Sequence, residues 1–79
     1  MSENEIRDAV TAFFAGRGKP ATGDDVDLFE TQYIDSMELL ELIMHLEDTL
    51  QVSIDQDLMS VDNFRTIAQI IKTIGTQTG

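Results

Sequence analysis

The chain has 79 residues, 42% of them apolar, and fifteen acids against five bases give it a formal net charge of -10. That length allows one small hydrophobic core, and the acidity argues against nucleic acid and anionic membrane as ligands, since both require a positive face. Without cysteine there are neither disulfides nor thiolate metal sites, and no apolar run is long enough for membrane insertion, so one soluble cytoplasmic domain over residues 1–79 is expected.

At the start, Ser2 and Glu5 fit a capping box, and Ile6, Ala9, Val10, Phe13 and Phe14 then recur at helical spacing. The spacing predicts a first helix over about Glu3 to Ala15, ended by Gly16 and Gly18. Arg17 to Ile34 follows as a long connection interrupted by Pro20 and Gly23. A loop of that length in a small domain is functional or pinned by its own apolar residues, for which Val26, Leu28, Phe29 and Ile34 are the candidates. The acidic run Asp24-Asp25-Val26-Asp27 lacks the glycine and closing glutamate of a calcium loop. It reads as solvated loop, and no metal site is expected.

Asp35 then stands as the N-cap of a second helix over about Ser36 to Gln51, its carboxylate placed for the Glu38 amide and Glu38 placed to reach back. Ser36 falls at the first helical position with its hydroxyl offered to solvent. At about 100° per residue, Leu39, Leu42, Ile43, Leu46 and Leu50 form a core stripe. Met37 and Met44 lie well off it, with Leu40 between them and the core, and Glu41, Glu47 and Asp48 border this second patch. An apolar patch rimmed by carboxylates beside a presented serine reads as a docking surface, and methionine suits partners of differing shape. The plainer alternative packs Leu40 and Met44 under the long loop. His45, the only histidine, falls away from both patches and is expected in solvent. It is nine residues from Ser36, roughly 13 Å along a helix, too far for a nucleophile and base pair. No catalytic residue, and so no enzyme, is expected.

Val52, Ser53 and Ile54 lead out of this helix. A short irregular third helix is predicted within Asp55 to Val61, with Leu58, Met59 or Val61 turned inward. Thr66 and Gln69 form another capping box, followed by Ile67, Ile70, Ile71 and Ile74 on one face before Gly75. Phe64 is expected in the core, and Thr76 to Gly79 should fray.

The segment Asp35-Ser36-Met37-Glu38-Leu39-Leu40-Glu41-Leu42 resembles the attachment motif of acyl and peptidyl carrier proteins. Leu46-Glu47-Asp48 and Asn63-Phe64-Arg65-Thr66 match the family's later helix-two pattern and the start of its last helix. One departure is Gln32-Tyr33-Ile34, where many members carry a glycine two or three residues before the aspartate. The resemblance implies an all-α four-helix bundle with a long first loop and a short third helix. It also implies a 4'-phosphopantetheine arm, drawn from coenzyme A and bound to Ser36, that holds cargo as a thioester. The implied partners are a phosphopantetheinyl transferase, an adenylating or acyl-loading ligase, and downstream acyl- or aminoacyl-transferring enzymes. They would meet a face made of Asp35, Met37, Leu40, Glu41, Met44, Glu47 and Asp48 on a monomeric protein. The last-helix motif looks most like free-standing aminoacyl or D-alanyl carriers, with a specialised fatty-acid or polyketide carrier as the alternative. From another class, a non-enzymatic acidic adaptor binding basic amphipathic helices would account for the methionines but not for the placed serine.

Overall fold

Helical periodicity in the sequence becomes three α-helices: α1 (Glu3–Gly16), α2 (Ser36–Leu50) and α3 (Ile67–Thr78). The computed structural model describes residues 2–78, with side chains through residue 76, and no strand occurs among the described residues. Ser2 opens α1 by accepting the Glu5 amide on Oγ at 3.2 Å, and its hydroxyl faces Glu5 Oε1 at 3.5 Å. One reciprocal half of the expected box is therefore taken by the hydroxyl itself. The predicted apolar set Ile6, Ala9, Val10, Phe13 and Phe14 is buried, and α1 lies against both α2 and α3. The helix closes as the amides of Arg17 and Lys19 both reach the Phe14 carbonyl, at 3.0 and 2.9 Å. Gly18 takes φ 73°, a left-handed conformation that glycine adopts without a Cβ penalty.

The long loop is a strap tied along its length. Leu28 and Ile34 are buried in the core, while Val26 and Phe29 are half-buried. The Leu28 amide donates to the Arg65 carbonyl at 2.7 Å, and the Ala68 amide donates to the Asp24 carbonyl at 3.1 Å. The acidic run is not merely solvated, as its sequence suggested. Asp24 forms a two-pronged pair with Arg7 at 2.7 and 3.1 Å. Asp27 accepts the Glu30 and Phe29 amides and an Arg65 Nη1 contact at 3.2 Å. The Arg7 guanidinium holds the Asp24 carboxyl below its usual range. At Asp27 the Glu30 amide does most of the same, with Arg65 adding to it.

From α2, Leu39, Leu42, Ile43 and Leu46 enter the core as expected, and Leu50 is half-buried. Gln51 ends the helix at φ 55°, its amide on the Glu47 carbonyl. The predicted third helix forms instead as two 3-10 turns, Gln56–Leu58 and Val61–Phe64. Neither is long enough for an α-helical apolar face, and the segment is held by side chains. Asn63 donates to the Leu58 carbonyl at 3.0 Å, and Thr73 of α3 donates to the Asn63 carbonyl at 3.1 Å. Leu58, Met59 and Val61 pack against the core, and Phe64 is fully buried. Thr66 caps α3 through the Gln69 amide at 3.0 Å. The tail departs from expectation: α3 runs through Gly75 to Thr78, with the Thr76 hydroxyl bound to the Lys72 carbonyl at 2.7 Å. Gly75 needs no special backbone there, so the helix passes through it. Gly79 lies outside the described residues.

Candidate functional site

The start of α2 is fixed from both sides. Asp35, in extended backbone, accepts the Glu38 amide at 2.8 Å on Oδ1, and its carbonyl takes the Leu39 amide at 2.9 Å. Ser36 follows as the first residue of the helix and is exposed. Its hydroxyl oxygen thus stands at a helix N-terminus, where unpaired amides and the macrodipole favour an anion.

The returning half of the Asp35–Glu38 box does not form. Glu38 turns toward the end of α1 instead, with Oε2 3.3 Å from Lys19 Nζ and 3.6 Å from Arg17 Nη1. Arg17 also pairs with Glu41 and lies 4.6 Å from the Phe13 ring centroid. Lys19 donates to the Tyr33 carbonyl and sits 5.2 Å from that ring. The Tyr33 hydroxyl in turn donates to the Pro20 carbonyl. Two cations and a tyrosine, to which the sequence alone assigns no such role, therefore brace the loop against the helix start. The available signal was the scarcity of bases: Arg17 and Lys19 are two of only five. Just before the motif, Gln32 takes φ 61°, a left-handed backbone that glycine adopts more readily, with a glutamine in place.

Along the outward face of α2, Met37, Leu40 and Met44 are 73%, 59% and 66% exposed. The plainer expectation that Leu40 and Met44 pack under the loop is not met. The acidic residues divide. Glu41 is tied to Arg17, and Glu47 is half-buried with Oε2 accepting the Ile54 amide at 2.9 Å. Asp48 is exposed. His45 also departs from expectation. It is half-buried, its Nε2 lies 2.9 Å from the Ala9 carbonyl, and its ring is 5.5 Å from that of Phe13. It joins α2 to α1 on the flank away from Ser36. Among the described residues, no group of three or more metal-ligating side chains comes together, and no helix is long and apolar enough to cross a membrane.

Residues 8–74 match the family described as phosphopantetheine attachment site. Among curated proteins, an acyl carrier protein of Exiguobacterium sibiricum is 37% identical over 43 residues, 54% of this chain. The match spans about half of that relative, 52% of its length. No solved structure matches the chain significantly.

Proposed function

The chain belongs to the phosphopantetheine-attachment family of carrier proteins, and on that premise we propose that Ser36 bears the arm and that the protein carries acyl cargo and catalyses nothing itself. The observation that carries this is the exposed Ser36 at the first position of α2, behind an Asp35 cap that fixes the backbone. The residues present suit the group. A phosphodiester on Ser36 Oγ would lie at the positive end of the helix dipole, and the nearby Glu38 carboxylate is paired with Lys19 and Arg17. When bound, the arm supplies a terminal thiol on which cargo is held as a thioester. In the loading step the Ser36 oxygen bonds to phosphorus as the coenzyme A pyrophosphate bond breaks. The nucleotide bisphosphate leaves, and the hydroxyl proton passes to the transferase or to solvent.

The exposed stripe of Met37, Leu40 and Met44, with Asp35, Glu41, Glu47 and Asp48 around it, is the face we assign to partners. These are the phosphopantetheinyl transferase, a loading ligase and downstream acyl-transferring enzymes, and their contacts must stay weak enough to exchange. We read the two 3-10 turns, Gln56–Leu58 and Val61–Phe64, as the counterpart of the short third helix of a carrier four-helix bundle. The Asn63-Phe64-Arg65-Thr66 motif resembles free-standing aminoacyl and D-alanyl carriers more than a housekeeping fatty-acid carrier, which supports amino-acid or short acyl cargo; a specialised fatty-acid or polyketide cargo is the alternative. A charge of -10 makes copies of the chain repel one another, which supports a monomer. Incubation with coenzyme A and a broad-specificity transferase should add one arm to the protein, and Ser36→Ala should abolish the addition. An alanine variant that still gains the mass would remove Ser36 from the role.

A further inference from the structure

The docking stripe is less acidic in three dimensions than in sequence. Arg17 bridges Glu38 and Glu41, one turn apart on α2, and Lys19 meets the same Glu38 oxygen. Neither cation depends on the carboxylates alone for its position, since Arg17 lies over the Phe13 ring and Lys19 is bound to the Tyr33 carbonyl. The Glu38, Arg17 and Lys19 side chains are 21%, 31% and 32% exposed, so bulk salt screens their pairing less than it screens a free surface pair. On the other flank Glu47 is engaged by the Ile54 amide.

We propose that Arg17 and Lys19 act as a charge mask on the partner face. They neutralise Glu38 and Glu41 in place, so that encounter with a basic partner is governed by Met37, Leu40 and Met44 more than by long-range attraction. This rests on Ser36 as the attachment serine. Steering grows with the charge that a surface leaves unpaired and falls with ionic strength. A masked face therefore selects a partner by the fit of an apolar pocket to the methionine and leucine side chains, and its association responds weakly to salt. Arg17 and Lys19 touch no reacting atom; they set specificity through the carboxylates they hold.

The test is kcat/KM for modification by coenzyme A and a transferase with a basic docking surface, followed from low to high ionic strength for the wild type, Arg17→Gln, Lys19→Gln and Arg17→Gln/Glu41→Gln. Circular-dichroism melts confirm folding of each. Unmasking should raise kcat/KM roughly two- to fivefold at low salt and steepen the salt dependence. The gain should vanish at high salt, and adding Glu41→Gln to Arg17→Gln should take it away. Folded single variants with unchanged or slower rates and the wild-type salt slope would overturn the mask. Because Arg17 also packs on Phe13, Arg17→Met, which keeps an apolar stem for the ring and removes the charge, decides if Arg17→Gln fails to fold. A wild type that takes up no arm would instead contradict the Ser36 assignment and remove the mask with it, a result distinct from unaltered rates.

Discussion

At Gln32 a non-glycine residue holds φ at 61°, three positions before the Asp35 cap. A Cβ in that conformation crowds the adjacent carbonyl, so Gln32→Gly should relieve the backbone while costing little, the loop being pinned on both sides by Leu28 and Ile34. We expect a gain of about 0.5–1 kcal/mol in urea unfolding; an unchanged or lower midpoint would show that the glutamine is not strained. The motif residues were legible because their relations are local: Asp35 caps Glu38 three residues on, a spacing visible in any sequence. What Glu38 does with its side chain was not legible. Lys19 and Arg17 lie about twenty residues earlier and reach it only after the loop has folded back. His45 was misplaced for a related reason. Its helical angle is set by α2 alone, but its surroundings are set by where α1 lies, and α1 offers it the Ala9 carbonyl and the Phe13 ring.

The elements divide by how much their own pattern determines them. Each of α1, α2 and α3 carries an apolar face of three or more turns, and periodicity found them all. The Asp55 to Phe64 segment has too few turns for a period, so its shape comes from Asn63, Thr73 and the buried Phe64. Gly75 looked like a stop because glycine often follows a helix, yet nothing there requires positive φ. The strap between α1 and α2 has the clearest pH signature. Both Asp24 and Asp27 have folded pKa values below their ordinary 3.8. The Arg7 guanidinium on Asp24, and the Glu30 amide with Arg65 on Asp27, therefore stabilise the fold fully above that value and cease to do so as pH falls through the lower folded values. Asp24→Asn and Asp27→Asn should melt earlier than the wild type at neutral pH, and the gap should begin to shrink near pH 3.8 and close as pH falls through the lower folded values. A deficit of constant size across that range would mean that shape, not charge, is what the aspartates supply.

Across the whole molecule, Arg7, Arg17, Lys19 and Arg65 are all drawn into ion pairs with nearby carboxylates, and acids still outnumber bases three to one. Residual repulsion among them opposes folding. Added monovalent salt or divalent cations should raise Tm between low and physiological ionic strength, and a flat response would indicate that the pairs already balance the surface. The arrangement as a whole keeps one hydroxyl in the open at the head of α2, beside an apolar stripe whose flanking charges are largely engaged within the chain. Fragment-ion mapping of the protein after modification with coenzyme A and transferase tests that most directly. The arm should be found on Ser36 and on no other residue; an arm on Ser53, Ser60 or a threonine, or none at all, would contradict it.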